Sequence, residues 1–260
     1  MTAARSRFGK RLVPSLGTLA TALCGVLAAP NMAGAQVITS ERARHGSPQH
    51  FALEFRFSPY KPDVDSEFDG TGRHPYQDFF GPGRHLLSQV EFDYQFIRHV
   101  GSLAVGASVG YFKTTGANLE TGTDKVSADS SSLRLIPFSA SLVYRFDLPY
   151  ERVNIPLIPY GKLGFDYIFW TINNGNGEVP SSAAGGRGQG GTLGWHAAVG
   201  LSLALDWFDQ HAANQFDEEL GVNHTHLFFE YGHMAVNGLG QKDRLHVGDD
   251  TWTAGMLFEF

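Results

Sequence analysis

The chain closes with residues 251–260, Thr-Trp-Thr-Ala-Gly-Met-Leu-Phe-Glu-Phe. Apolar side chains occupy every second position here, and the large ones are Trp252, Met256, Phe258 and Phe260. Because a strand points alternate side chains to opposite faces, this pattern predicts a strand with one strongly apolar face. An apolar face of this kind with a terminal aromatic residue is typical of the last strand of an outer-membrane β-barrel. We interpret Trp252, Met256, Phe258 and Phe260 as the signal that the barrel assembly machinery recognises.

The first 35 residues have the organisation of a secretory signal peptide. Four basic residues within the first eleven precede the apolar stretch 12–29, and the small residues Ala33 and Ala35 follow. This order predicts cleavage after Ala35 and export, and a membrane anchor is the less favoured alternative. We therefore divide the chain into a signal peptide (1–35), a short N-terminal segment (36–49) and a barrel domain (50–260).

Cleavage would change the bulk chemistry of the chain. The full sequence has 20 Lys and Arg against 26 Asp and Glu, and the mature part would keep 16 basic residues, a net charge of −10. An acidic chain is a poor ligand for nucleic acid. The single cysteine, Cys24, lies in the leader, so no thiol chemistry remains. No cofactor is predicted. No later segment is apolar for long enough to form a spanning helix, so a membrane form would have to be a closed barrel.

Alternation of apolar and other residues recurs eight times along the mature chain. The runs cover approximately residues 51–57, 89–96, 103–111, 133–146, 162–169, 193–206, 226–232 and 251–260. Several reach about ten residues, the length that a tilted strand needs to cross a bilayer. We predict an all-β, eight-stranded, antiparallel, up-and-down transmembrane β-barrel in the outer membrane. A soluble periplasmic barrel of the lipocalin type is the alternative fold.

The connections alternate in length, as expected for long external loops and short periplasmic turns. The stretches 58–85, 114–130 and 171–191 are predicted as long loops, and 97–101 and 147–154 as short turns. The connection Trp207–Asn223 does not fit this alternation. Its residues 212–220 are predicted to form a short helix, and we assign it no role.

Pro137 lies inside the fourth run. Proline cannot donate a hydrogen bond to a neighbouring strand, so it is usually found at a strand start or a bulge. A bulge or a late start is therefore predicted for this strand.

The predicted inner face carries many charged residues. They are Glu54, Arg56, Glu91, Asp93, Arg145, Lys162, Asp166, Glu230 and Glu259. An eight-stranded barrel is just wide enough for side chains to fill it, and buried charges must be paired. We interpret these residues as a lumen charge network that plugs the barrel. A narrow polar path or a small-molecule site is the alternative.

The stretch Glu230-Tyr231-Gly232-His233 offers a catalytic interpretation. The outer-membrane lipid A deacylases use a His-x-Ser pair with a Glu, in which the serine is the nucleophile. Here the residue two positions after His233 is Ala235, so the hydroxyl is missing. We predict no catalytic residues.

Two groups of potential metal ligands are weak candidates. His224 and His226 share one strand face, but a metal site needs further ligands. Read as a calcium loop that starts at Asp65, the first external loop places Gly70 correctly, but Tyr76 stands where glutamate is expected. We predict no metal site and a solvated acidic loop.

Several stretches resemble a family of predicted outer-membrane β-barrel proteins from myxobacteria and their relatives. They are Ser-Pro-Tyr-Lys-Pro-Asp-Val-Asp-Ser-Glu (58–67), Leu-Ser-Gln-Val-Glu-Phe-Asp (87–93), Gly-Thr-Leu-Gly-Trp-His-Ala-Ala (191–198), Gly-Val-Asn-His-Thr (221–225) and the closing strand. The resemblance covers nearly all of the mature chain. It implies the fold and an outer-membrane location, and it implies no activity.

The favoured function is therefore a structural or envelope-interaction role, with a narrow, charge-plugged lumen and long external loops. A transporter of small hydrophobic molecules is the first alternative, and a lipid-modifying enzyme is the second. The expected partners are outer-membrane lipid, lipopolysaccharide and the barrel assembly machinery. A monomer is favoured.

Overall fold

The structure is a computed structural model that describes residues 50–119, 126–153, 155–174, 178–179, 188–208, 215, 217–241 and 244–260. Its strands are β1 (Phe51–Tyr60), β2 (His85–Arg98), β3 (Ser102–Leu119), β4 (Val126–Arg145), β5 (Leu157–Asn173), β6 (Gln189–Ala204), β7 (His224–Ala235) and β8 (Asp249–Glu259). The predicted signal peptide and the segment 36–49 lie outside the described residues.

The eight strands form one closed antiparallel barrel in sequence order. β8 pairs with β1, from Ala52 opposite Glu259 to Phe57 opposite Ala254. The predicted eight-stranded up-and-down barrel is confirmed. We call the end that holds the β2–β3 and β4–β5 connections the turn end, and the opposite end the loop end. Gly101 makes the tight β2–β3 turn with φ +86°, a conformation that favours glycine.

Short helical segments lie in the connections. They are the α-helices Pro75–Phe80 and Leu148–Val153 and the 3₁₀ helices Val64–Phe68, Leu205–Trp207 and Gly238–Gly240. Of the helix predicted at 212–220, residues 217–220 are helical, and most of the remainder lies outside the described residues. None of the helices in the described ranges is long and apolar enough to span a membrane.

The outward face of the barrel is apolar around its circumference. Large side chains there are exposed at Phe51, Phe55, Phe57, Val90, Phe92, Tyr94, Phe96, Val105, Val109, Tyr111, Phe138, Leu142, Tyr144, Leu163, Phe165, Tyr167, Phe169, Leu193, Trp195, Val199, Leu201, Leu227, Phe229, Tyr231, Trp252 and Met256. Their inward neighbours include buried Glu54, Glu91, Asp93 and Arg145. Water would not favour so large an apolar surface, whereas hydrocarbon would.

Two of the predicted long loops are shorter than expected. β3 continues to Leu119 and β4 begins at Val126, so most of 114–130 is strand. β5 likewise continues to Asn173, and β6 begins at Gln189. These strand ends contain Ser, Thr and Gly rather than alternating apolar residues, which is why periodicity assigned them to loops. The β3–β4 hairpin therefore extends well past the roughly ten residues that cross a bilayer.

The bulge or late strand start predicted at Pro137 is wrong, since β4 begins at Val126. Pro137 pairs with Ile168 of β5, and the β3–β4 register is the same on both sides of it, with Val109 opposite Phe138 and Phe112 opposite Leu135. Between these two pairs, Ile136 and Pro137 of β4 have no paired residue in β3. Because proline lacks only one N–H donor, the strand loses local pairing and keeps its course.

Candidate functional site

The middle of the barrel interior contains a network of ion pairs. Glu54 of β1 lies at its centre and accepts from Arg56 at 2.9 Å, Arg145 at 2.7 Å and Lys162 at 2.6 Å. Alternation within β1 places Glu54 and Arg56 on the inner face, and barrel closure brings β4 and β5 across from them. All four side chains are buried.

Three further carboxylates complete the network. Glu91 lies 2.9 Å from Arg56 and 3.0 Å from Lys162. Asp93 binds Arg145, and Glu230 binds Arg56. Four carboxylates thus meet three cations, and each cation contacts at least two of the carboxylates. Such shared pairing offsets the cost of taking charges out of water.

Two aromatic residues that the sequence analysis did not select support this network. The hydroxyl of Tyr160 donates to Glu230 at 2.9 Å, and its ring lies 5.7 Å from Nζ of Lys162. The ring of Phe228 lies 5.7 Å from the guanidinium carbon of Arg56. Each aromatic residue lies two positions before a predicted network member in its strand, so both side chains point inward. The alternation of the strands could therefore have identified them from the sequence.

The two remaining predicted members, Glu259 and Asp166, lie apart from the network. At the turn end, Gln95 donates to Glu259 at 2.9 Å, and Nε2 of His226 lies 3.6 Å from the same carboxylate. Toward the loop end, Asp166 accepts from Ser139 at 2.6 Å and lies 2.8 Å from Nδ1 of His196. The charged interior is therefore divided into three levels.

Small cavities lie on either side of the ion pairs. One of about 50 Å³ is lined by Arg145, His224, His226 and Glu259 on the turn-end side. Another of about 50 Å³ is lined by Arg56, Ser141 and His196 on the loop-end side. Cavities of this size hold one to a few water molecules.

The turn-end cavity has a polar rim. Nδ1 of His224 lies 2.5 Å from Asp206, and its ring faces Tyr150 at 5.7 Å between centroids. Burial, with the charges of Asp206 and Glu259, raises the pKa of Tyr150 to about 12, so its phenol stays neutral at neutral pH.

An apolar core fills the loop end of the barrel. Its buried members are Tyr60, Tyr76, Leu87, Phe112, Leu133, Leu135, Ile168, Val236 and Val247. Tyr76 comes from the helix Pro75–Phe80, so the loop between β1 and β2 folds into the barrel mouth. The sequence analysis predicted a charge-plugged lumen and did not predict this apolar core.

The acidic cluster of the first external loop makes structural contacts. The carboxylate of Asp65 accepts from the backbone N–H groups of Tyr76 at 2.6 Å and Gln77 at 3.3 Å, at the start of the helix Pro75–Phe80. Glu67 accepts from the backbone of His246. The loop predicted to be solvated is thus docked on the last loop, and Asp65 caps a helix rather than beginning a calcium loop.

One group of carboxylates has the spacing of a metal site. The nearest oxygens of Glu54, Glu91 and Asp93 lie within 4.8 Å of one another. Arg56, Arg145 and Lys162 already supply positive charge to these oxygens. The donor set therefore fits a protein ion-pair cluster better than a metal centre.

The residues that resemble those of lipid A deacylases do not converge. Glu230 points into the barrel and binds Arg56, whereas His233 is on the outward side with Nδ1 2.5 Å from Asp250 and its ring against Trp195. Residues 230 and 233 are three positions apart in one strand, and alternate side chains point to opposite faces. Glu230 and His233 therefore lie on opposite sides of the barrel wall.

Comparison with known proteins identifies barrels of similar size. No protein-family model and no curated protein matches the chain. Among solved structures, OprG, an outer membrane protein of Pseudomonas aeruginosa, aligns with a TM-score of 0.44 and 14% identity over 82% of this chain and 96% of OprG. The N-terminal β-barrel domain of P. aeruginosa OprF gives 0.41 and 12% over 82% and 98%.

The attachment invasion locus protein Ail of Yersinia pestis, solved with a heparin analogue, gives a TM-score of 0.39 and 14% identity over 82% of this chain and 97% of Ail. Likenesses at this level do not assign a function. The barrel itself is established by its own strand pairing, and the resemblance to a myxobacterial family stays a prediction.

Proposed function

We propose that this protein is an integral outer-membrane barrel whose closed lumen gives it a structural or envelope-interaction role. The ion-pair network centred on Glu54 is the observation that carries the proposal. Large pores need more strands and a water-filled interior. Here the ion pairs fill the middle of the barrel and the apolar core fills its loop end.

The apolar outward face supports a location in lipid. A closed barrel satisfies its backbone hydrogen bonds internally, as hydrocarbon requires. Export by the segment 1–35, insertion by the assembly machinery through the strand that ends at Phe260, and contact with lipopolysaccharide belong to the same proposal. The acidic loops would meet lipopolysaccharide through shared divalent cations, and the barrel would act as a monomer.

The transporter alternative fits the barrel less well. A transporter of small hydrophobic molecules would need an apolar opening between strands and few ion pairs inside. Each strand pairs with both neighbours around the barrel, and β5 and β6 pair from Leu157 opposite Leu203 to Thr171 opposite Gln189. The lumen, moreover, is charged.

Bilayer recording tests the closed lumen. Purified protein reconstituted in planar bilayers should show at most small, irregular conductance, because charged side chains and the loop-end core obstruct the interior. Detergent without protein and heat-unfolded protein serve as controls. Large, regular openings that require folded protein would reject the closed-lumen proposal and favour transport.

Cysteine labelling tests the membrane orientation of the two faces. The mature chain has no cysteine, so single cysteines can replace outward Phe92 and Leu201, or inward Gln95 and Ser202. Phe92 is 50% exposed and Leu201 43%, against 1% and 2% for Gln95 and Ser202. A lipid-phase maleimide should label positions 92 and 201 only. Labelling of 95 and 202 instead would show that the faces are inverted.

A further inference from the structure

A second polar cluster in the lumen has the arrangement of a nucleophile, a base and an orienting carboxylate. Oγ of Ser141 lies 3.1 Å from Nε2 of His196. Nδ1 of the same imidazole lies 2.8 Å and 2.9 Å from the two oxygens of Asp166. In serine hydrolases an imidazole placed in this way accepts the serine proton while the carboxylate fixes its orientation.

Strand register explains how the three residues meet. Gly164 of β5 pairs with Ser141 of β4 on one side and with His196 of β6 on the other. A methyl group at position 164 would lie 2.4 Å from the backbone oxygen of Ala140 and 2.6 Å from Cε1 of His196. The missing side chain therefore lets the imidazole lie across β5 and reach Ser141. Asp166 follows two positions later on the same inner face.

The Ser141 cluster borders a cavity. Ser141 and His196 line the loop-end cavity of about 50 Å³. Met234 and Asp249 line this cavity and also a vestibule of about 680 Å³ between the first and last external loops. The two spaces adjoin at Met234, which packs at the edge of the apolar core, so a small molecule would have to pass this side chain to reach Ser141. Arg56 also lines this cavity, and its guanidinium is paired with the carboxylates of the ion-pair network.

We propose that Ser141 is an activated nucleophile that accepts the acyl group of small, water-borne esters, with His196 as its base and Asp166 as the positioning carboxylate. Oγ attacks the carbonyl carbon while its proton passes to Nε2 of His196. The carbon–oxygen bond to the alcohol breaks, and the alcohol takes that proton. Water then hydrolyses the acyl-serine by the same route and releases the acid.

This reactivity is independent of the structural role proposed above. A closed barrel without a reactive serine would leave that role intact, and a reactive serine needs no channel. The two proposals therefore fail separately.

A small fluorophosphonate ester and p-nitrophenyl acetate test the proposal on the folded protein in detergent micelles. The fluorophosphonate should add one phosphonyl group and release fluoride, and peptide mass spectrometry should place the adduct on Ser141. Ser141→Ala should abolish the adduct, and His196→Gln should slow its formation by about 100-fold, the contribution of a general base. Release of nitrophenol should change in parallel.

Two further variants separate chemistry from folding. Ser202→Ala removes a buried hydroxyl that lines the turn-end cavity instead, and it should leave labelling unchanged. Asp166→Asn keeps the size of the positioning side chain, removes its charge and should slow labelling, with folding checked by heat-modifiable gel mobility. No adduct on the folded wild-type protein, an adduct spread over other serines, or a rate unaffected by His196→Gln would each overturn the proposal.

Discussion

Replacing Arg145 by alanine should lower the free energy of unfolding by about 3–5 kcal/mol, the usual cost of removing one partner from a buried ion pair. Arg145 is 4% exposed and binds both Glu54 and Asp93. Without it, Asp93 keeps no ion-pair partner among the described residues, so its buried carboxylate either stays charged and unpaired or takes up a proton, and both cost stability. Urea unfolding of the folded barrel in micelles, followed by tryptophan fluorescence, measures the effect.

Arg84→Ala is the matched control for this measurement. Arg84 lies 2.6 Å from Asp249 at the loop end, and 42% of its side chain is exposed. Asp249 is 8% exposed but keeps a hydrogen bond from the backbone N–H of Lys61 at 3.0 Å, so the loss of its half-exposed partner should cost about 1 kcal/mol or less. A second variant, Arg145→Leu with Asp93→Leu, removes both charges and should be less destabilised than the sum of its two single changes. Equal losses for Arg145→Ala and Arg84→Ala would show that the network does not stabilise the barrel.

The strand content and the two faces of the barrel were predictable because they depend on local alternation. Each strand carries its own signal, as in β2, where Val90, Phe92 and Tyr94 are outward and Glu91 and Asp93 are inward. The inner charged residues followed directly from this phase. Sequence alone did not give their partners, since a contact between Arg145 and Glu54 depends on barrel closure and on the stagger of strands distant in sequence.

The Ser141 cluster likewise could not be predicted from the sequence, because it depends on contacts between different strands. Its members come from three strands. They come together because Gly164 pairs with Ser141 on one side and with His196 on the other. No short motif encodes that arrangement. The deacylase-like stretch illustrates the reverse case, in which neighbouring residues in sequence, Glu230 and His233, point to opposite sides of the strand.

The loop-end core was missed for a different reason. Near the ends of β2, β3 and β4 both faces carry apolar residues, as at Tyr111 and Phe112, which are outward and inward respectively. Alternation predicts a strand there but cannot distinguish a polar lumen from an apolar one. Tyr76, which packs in this core, comes from the loop between β1 and β2, and the sequence of that loop shows no apolar alternation.

Phe112→Ala should destabilise the barrel by about 3–5 kcal/mol, because it leaves a cavity in a packed core. The Phe112 side chain is fully buried, and its ring meets that of Tyr60 edge-on at 4.9 Å between centroids. Since Tyr76 and Phe80 pack in the same cluster, the loop between β1 and β2 should also undock. Urea unfolding gives the first effect, and the rate of proteolysis within residues 61–84 gives the second.

Phe96→Ala provides the comparison for this change, because Phe96 is outward and 46% exposed. Lipid or detergent fills the space that a lost outward ring leaves, so the cost should be about 1 kcal/mol or less. Proteolysis of the first loop should not change in this variant. If Phe112→Ala and Phe96→Ala had equal effects, or if the loop stayed resistant in both, the apolar core would not be what holds the first loop in the barrel mouth.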